Sequence, residues 1–406
     1  MRVLFTVSSW PTHYMSMVPL GWALQSAGHE VRVLCAPSQA DTVSRAGLVP
    51  VPVLGGMEVV VRNRLEYYGE AVRGTWPYPW LPLHPITGRQ MSRLDDFDLV
   101  EYRREIEPVF AEQAGRSMDA AVTFARGWRP EVILHDPVSL EGLLAAKVIG
   151  VPEVMSLWGP VGTHEPDGVR IVPDDLGDWF PRYGLPAMSV DLIEHIADPC
   201  PPPVVPPCTA DRLPIQYLPY NGPGAMSGWA MEPPARPRVC VAWSTALTTM
   251  SGPNSYLLPA VLRGLADLDV EVVLTATSRD AAALGKMCGP VRVLERFPLN
   301  LLLPSCDAVV HHGGAGSSMT AMWAGVPQLA LTFAREQTTN GERIEAAGAG
   351  RHLLGHHASP AVIRDTVADI VETSGYRRGA ADLRAELRRR PTPAEFVETL
   401  DKLARG

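Results

Sequence analysis

The sequence has little that would mark an exported, membrane-bound or nucleic-acid-binding protein. No apolar run approaches the roughly 18 residues that a membrane helix requires, and the opening Val3–Val7 is cut off by Ser8, Ser9 and Trp10, too short for a secretory signal. Positive charge is the minority: 36 Lys and Arg stand against 44 Asp and Glu, a formal net charge of -8 at pH 7. Neither a nucleic acid nor an anionic lipid surface is therefore favoured as a partner. Cysteine is sparse, with 6 in 406 residues. Cys35, Cys200, Cys208, Cys240, Cys288 and Cys306 form no Cys-x-x-Cys pair and no Cys/His group at zinc spacing, and they read as reduced core thiols. Lysine is rarer still: Lys147, Lys286 and Lys402 are the only three against 33 arginines, a bias without mechanistic content. What is missing points to a cytoplasmic protein that handles small molecules.

What is present is a globular chain. Hydrophobic residues make up 46%, and the 35 glycines and 39 prolines stay below the roughly 25–30% that signals low complexity. At roughly 150 residues per domain, two full-sized domains are expected. Val3–Val7 is a short apolar run, Val18–Ala27 carries helical spacing, Gly28 stops it, and Val31–Leu34 is extended again, which makes a βαβ unit. Glu131–Leu134, the helical Leu140–Ile149 with its terminal Gly150, and Val151–Leu157 continue a buried parallel sheet flanked by helices. Prolines crowd the stretch from Asp198 to Pro237 and exclude a continuous helix or central strand there. The rhythm restarts with Val239–Trp243, Tyr256–Leu265, Val270–Leu274, Ala281–Met287, Val291–Leu294, Ala308–His311, Ser317–Ala324 and Gln328–Phe333. The fold class expected is α/β, with two Rossmann-like doubly wound domains at residues 1–215 and 238–385 joined by a Pro/Gly-rich linker, 216–237. Thr392–Ala404 reads as an amphipathic helix with Thr392 as N-cap, Pro393 at its first position, and Phe396, Leu400 and Leu403 on one face. Residues 386–406 are accordingly expected to pack back on the first domain.

The strongest local signal is His311-His312-Gly313-Gly314-Ala315-Gly316-Ser317-Ser318, which follows a strand and opens a helix ending at Gly325-Val326-Pro327. Glycines let a backbone approach phosphate oxygens, and a helix start presents free N–H groups and a positive dipole end. A neighbouring imidazole can donate as well. The order is not Gly-x-Gly-x-x-Gly and lacks a Walker lysine, and a plain tight turn is the alternative reading. The second signal is the pair His13 and Asp136, each just past the end of a strand. In a parallel sheet both emerge at the carboxyl edge, where open α/β sheets bind ligands. A His/Asp dyad is then available, the carboxylate fixing the tautomer and stabilising the imidazolium that forms when His13 removes a proton. Taken alone, a histidine at this place is more often a structural or capping residue.

Phe5-Thr6-Val7 through His13, Met17–Leu24, Ala27–Val31, His135-Asp136-Pro137, Leu218–Pro223, Pro298–Pro304, His311–Ser317 and Ala324–Gln328 together resemble the antibiotic (natural-product) glycosyltransferases of actinobacteria, over nearly the whole chain. The resemblance implies the GT-B fold, with the acceptor held mainly by the first domain and a nucleotide sugar, usually a dTDP-deoxysugar, by the second. It implies His13 as catalytic base and Asp136 as its partner carboxylate. It further implies His312, Gly314, Ala315, Gly316 and Ser317 as the pyrophosphate loop, Arg296 and Phe297 around the nucleobase, and Ser244 and Thr245 near phosphate. Two departures stand out. Trp243-Ser244 replaces the more usual Leu-Gly, and Ala334-Arg335-Glu336-Gln337 stands where relatives place an acidic and an amide group on sugar hydroxyls. Glu336 and Gln337 are thus the expected sugar contacts, Glu336 with one methylene more. The function implied is inverting, metal-independent transfer of a sugar from a dTDP-sugar to a hydroxyl of a hydrophobic aglycone, without a further cofactor. A homodimer and an activator protein stay open.

Other readings compete. Asp96-Phe97-Asp98 has the spacing of a metal-diphosphate motif, but Arg93, Asp95, Glu101 and Arg103 make it look like a solvated helix face. Asp174-Asp175 and Asp178 read as surface. Trp76, Tyr78, Trp80 and Trp158, with Gly159, Trp179 and Phe180 nearby, offer apolar area with polar edges for a flat acceptor; for the Trp76–His84 loop the alternative is plain packing beside the core. A nicotinamide-dependent oxidoreductase shares the two-domain architecture, yet the first βα turn, Ser8–His13, has no glycine. A nucleotide-sugar epimerase and a non-catalytic sugar-nucleotide-binding subunit complete the alternatives.

Overall fold

The computed structural model describes residues 1–55, 59–226, 228–243, 245–277, 284, 291–295 and 297–406. The helix expected at Ala281–Met287 falls, apart from Leu284, outside them, as does Cys288.

Two parallel sheets organise the chain. The first has seven strands in the order β3-β2-β1-β4-β5-β6-β7, with β1 at Arg2–Thr6, β2 at Glu30–Leu34, β3 at Pro50–Val51, β4 at Val132–His135, β5 at Glu153–Ser156, β6 at His195–Asp198 and β7 at Asp211–Pro214. The second has six in the order β10-β9-β8-β11-β12-β13, with β8 at Arg238–Ala242, β9 at Glu271–Ala276, β10 at Val291–Glu295, β11 at Ala308–His311, β12 at Gln328–Thr332 and β13 at Gly350–Leu354. The inner strands are apolar on both faces because helices cover both. In β1, Val3 and Phe5 join a core with Leu24, Val31 and Val33, while Leu4 joins another with Ile133, Leu143 and Leu144. Part of the proline-rich stretch is strand: β7 ends at Pro214 on the edge of its sheet, where no partner needs the missing N–H.

The helices used below are α1 (Val18–Ser26), α2 (Val59–Val72), α3 (Glu107–Trp128), α4 (Leu140–Ile149), α5 (Leu258–Leu265), α6 (Ala315–Ala324), α7 (Arg335–Ala346), α8 (Pro360–Glu372), α9 (Ser374–Arg388) and α10 (Pro393–Arg405). A short 3₁₀ turn, His13–Met17, precedes α1. A capping box starts α10: Thr392 Oγ1 accepts the Glu395 N–H at 3.2 Å, and Glu395 Oε2 accepts the Thr392 N–H at 2.7 Å. Phe396, Val397 and Leu400 then bury themselves in the first sheet's core, against α1. The chain therefore crosses between the halves twice. The two crossings touch, since Gln216 N–H donates to Pro391 O at 2.7 Å. The Leu218–Pro223 segment ties both sides, Tyr220 lying edge-on to Trp22 at 5.5 Å and Asn221 Nδ2 donating to Thr320 Oγ1 on α6 at 3.3 Å.

Among the described residues five cysteines are free, and Cys35, Cys200 and Cys240 are buried. No described helix is long and apolar enough to cross a membrane.

Candidate active site

Each sheet reverses its strand order between two central strands, β1/β4 in the first and β8/β11 in the second. A crevice opens at the carboxyl edge at such a switch point. The registers Thr6↔His135 and Ala242↔His311 bring the next residues to those edges, so the turn carrying His13 lies beside Asp136, and Trp243 lies beside His312. Close packing of α4 on the first sheet needs Gly142, where a methyl group would fall 2.1 Å from Thr6 Oγ1 and 2.6 Å from His135 Cβ.

Asp136 is fully buried and accepts three backbone N–H groups: Ser8 at 2.7 Å on Oδ2, and Val138 and Ser139 at 2.8 and 2.9 Å on Oδ1. His13 Nδ1 stands 3.8 Å from Asp136 Oδ2, beyond hydrogen-bond distance, and its immediate partner is Ser8 Oγ at 2.6 Å. The expected dyad is thus bridged by Ser8, whose N–H meets the carboxylate and whose hydroxyl meets the imidazole. Sequence reasoning gave Ser8 no role; its place two residues past β1 and five before the histidine was the available signal. Burial pulls the His13 pKa down to about 4, opposed by Asp136 and reinforced by the Arg62 guanidinium, so the ring is neutral at pH 7. With Nδ1 protonated toward Ser8, Nε2 is left as a proton acceptor. Trp158 stacks on the ring, centroids 3.9 Å apart.

The two histidines of the second signal separate. His311 is buried and braces the loop, its Nδ1 accepting the Gly313 N–H at 2.9 Å and its Nε2 facing Gln328 Oε1 at 2.9 Å. Gly313 sits at φ +80°, a left-handed backbone that favours glycine, and Asn340 Nδ2 holds its carbonyl at 3.0 Å. His312 projects from this turn, and its Nδ1 is buried with no partner among the described residues. Burial, aided by His311, pulls its pKa down to about 3. Gly314 caps α6 without a side chain, which leaves the first-turn N–H groups at Ala315, Gly316 and Ser317 for an anion.

The two switch points face each other. Beside Trp158, Gly159 lies so close to the start of α6 that a methyl group there would be 3.2 Å from Ala315 Cβ. Arg343 on α7 fixes the same loop, meeting both Glu165 oxygens at 2.7 Å and donating to Pro160 O. On one side of the cleft the face of α2 carrying Arg62 and Glu66 lines a cavity of about 580 Å³ in the first half, closed by α3, Glu141 and Trp179. On the other, Glu336 at the start of α7 is half-buried; burial and then Glu66 raise its pKa to about 7, with Arg62 opposing. Gln337 turns its Oε1 back to the Phe333 N–H at 3.0 Å.

The remaining expected residues are placed elsewhere. Trp76, Tyr78 and Trp80 line no part of the cavity. They pack against the core of the second sheet, Tyr78 being 7% exposed and donating to Thr332 O at 3.2 Å. Trp179 does line the cavity, whereas Phe180 is core. Phe297 packs against the buried cluster that includes Leu302, Leu303 and Val326. Ser244 and Arg296 lie outside the described residues, and of Thr245 only the backbone, opening a short helix, is described. Asp96 and Asp98 are spent on backbone N–H groups of Ser92, Arg93, Val100 and Glu101, at 2.7–3.0 Å. Asp174 and Asp175, read as surface, reach the cavity rim. Among the described residues one further cluster has metal-compatible spacing, Glu153, Glu194 and His195, and Lys147 Nζ already neutralises it from 2.9 Å off Glu194 and 3.9 Å off Glu153.

Two doubly wound sheets whose switch points confront each other, one with a neutral imidazole and the other with an anion cradle, define a glycosyltransferase of the GT-B type. Known proteins agree. The N-terminal domain model described as Erythromycin biosynthesis protein CIII-like matches residues 22–244, and its C-terminal counterpart matches 259–403. Aklavinone 7-beta-L-rhodosaminyltransferase of Streptomyces galilaeus is 33% identical, covering 99% of this chain and 96% of its own. Tylactone mycaminosyltransferase of Streptomyces fradiae is also 33% identical, over 99% and 92%. Of solved structures, spinosyn rhamnosyltransferase SpnG has a TM-score of 0.78 at 28% identity, covering 99% of this chain and 100% of that one. Glycosyltransferase VinC in complex with dTDP has 0.77 at 28%, covering 100% of both. The chain belongs to the EryCIII-like family of antibiotic glycosyltransferases, enzymes that move a sugar from a nucleotide donor to an aglycone.

Proposed function

We propose that this cytoplasmic enzyme transfers a deoxysugar from a dTDP-sugar, with inversion and without a metal ion, to a hydroxyl of a hydrophobic aglycone. Residues 1–215 hold the acceptor and 238–385 the donor. The observation that carries this reading is the contact between the two sites: Trp158 lies on His13 while its neighbour Gly159 lies against Ala315 of the anion cradle. His13 Nε2 takes the proton of the acceptor hydroxyl as the oxygen attacks the anomeric carbon, and the diphosphate leaves on the opposite face. Asp136, reaching the ring through Ser8, stabilises the imidazolium that forms. The negative charge of the leaving group develops against the α6 N-terminus and the His312 side chain, which need no cation to do this.

Incubation with dTDP- and UDP-sugars and an aglycone panel including aklavinone and tylactone, read by mass spectrometry, should yield a product heavier by one sugar residue. Excess chelator should leave the rate unchanged; loss of activity restored by Mg²⁺ or Mn²⁺ would overturn the metal-free mechanism.

Glu336 gives the reaction a titration near neutrality that His13, held at about 4, cannot supply. Its carboxyl is raised, so it is ionised and able to accept sugar hydroxyls only above that point, and kcat/KM should fall as pH drops through about 7. Glu336→Gln should flatten this limb and lower the plateau roughly ten-fold, the worth of one hydrogen bond to a charged group. Glu70 is also held at about 7, but pairs with Arg335 at 2.9 Å; a limb that survives in the Gln variant belongs to it and removes Glu336 from the sugar site.

A further inference from the structure

Along α2, Arg62, Glu66 and Gly69 recur at helical spacing on one face, and that face, with Arg73 just past the helix end, lines the 580 Å³ cavity. Arg62 differs from the others. Its Nη2 donates to Arg170 O at 3.3 Å, but its Nη1 is buried with no acceptor among the described residues. The charge of this guanidinium, on the cavity wall, also acts on His13 in the first half and on Glu336 in the second. The diphosphate has its own cradle at α6, which leaves this donor to the acceptor. A buried donor without a partner carries a desolvation penalty, and an oxygen delivered by a ligand removes it.

We infer that Arg62 is a specificity-determining residue of the acceptor site, and that the natural acceptor presents a carbonyl oxygen to its Nη1 when its hydroxyl is at His13. This rests on the cavity being the acceptor site of the proposed transfer. Arg62 then fixes the orientation of the acceptor and favours molecules that carry the carbonyl over those of the same outline that lack it, since only the former give Nη1 an acceptor.

The test is a binding measurement with two phenols of nearly equal size, 6-hydroxy-1-tetralone, which carries a ketone, and 5,6,7,8-tetrahydro-2-naphthol, which does not. Calorimetric titration of the intact enzyme should show the ketone bound roughly ten-fold more tightly or better. Arg62→Gln should bring the ratio close to one while leaving the affinity for the tetrahydronaphthol unchanged, and near-ultraviolet circular dichroism checks its fold. Arg62→Lys, which keeps the charge but loses the planar fork, should also lose most of the preference. Equal binding by the intact enzyme, no binding of either phenol, or a ratio that survives both substitutions overturns the inference. Because no turnover is involved, a failed transfer assay with a retained ratio condemns the proposed reaction alone, and a lost ratio with successful transfer condemns only the role of Arg62.

Discussion

Replacing His13 with Ala is expected to lower kcat by about 10²–10⁴-fold, the usual contribution of a positioned general base, while dTDP-sugar affinity stays within about two-fold. Single-turnover rates and calorimetric titration of the donor would separate the two quantities. The expected split follows from where the ring sits: it belongs to the first half and reaches the turn of the second through Trp158 and Gly159. A histidine held at about 4 by burial looks at first too weak a base for a sugar-accepting hydroxyl. The penalty applies to the charged ring in the empty site, however, and Asp136, held by three N–H groups, offsets it as positive charge develops in the transition state. The low value also fixes the sign of the pH dependence. His13 is competent wherever it is neutral, so its acid limb belongs near pH 4, far below the Glu336 limb. A His13→Ala enzyme that turns over normally would remove the imidazole from the base role.

His312→Ala should be nearly as damaging, lowering kcat by about 10²–10³-fold, the cost typical of losing one donor to a developing anion. Affinity for dTDP should fall as well. This residue differs from His13 in what its burial achieves. With its pKa pulled down to about 3, the ring cannot supply a full positive charge at pH 7; it supplies one directed N–H, and the field comes from α6. Gly314→Ala offers an independent check, because a methyl group there would lie 2.6 Å from His312 Nε2 and must push the ring aside. The two variants should therefore resemble each other in dTDP affinity, measured calorimetrically. Unchanged dTDP affinity in His312→Ala would place the diphosphate elsewhere.

The βα rhythm was legible because parallel strands covered on both faces leave continuous apolar runs, and helices such as Leu140–Ile149 end at a glycine that takes a left-handed φ. The helix α3, twenty-two residues long, left no such mark, being amphipathic rather than continuously apolar, and β13 was hidden because Arg351 and His352 interrupt its apolar run. At the site, His13, Asp136 and His312 could be found from their places after strands. Ser8 could not, since a hydroxyl between a carboxylate and an imidazole is a three-dimensional relation with no spacing rule. The aromatic loop was ambiguous for a related reason: Trp76, Tyr78 and Trp80 have the composition of a ligand wall, yet packing against the second sheet's core, where Tyr78 stacks on Phe333, removes the same apolar area from water. Arg62 gave no signal at all, because its importance lies in a partner that the protein does not provide.

The two passages of chain between the lobes lie side by side, linked by the Gln216–Pro391 hydrogen bond and by Arg390, which donates to the carbonyls of Asp198 and Cys200. Other ties join the lobes: Tyr78, sent out from the first half, is seated in the second sheet's core, Arg64 donates to the Thr249 carbonyl, and Arg335 pairs with Glu70. Fastened on more than one flank, the two halves keep the His13 ring and the turn that carries His312 in one mutual bearing.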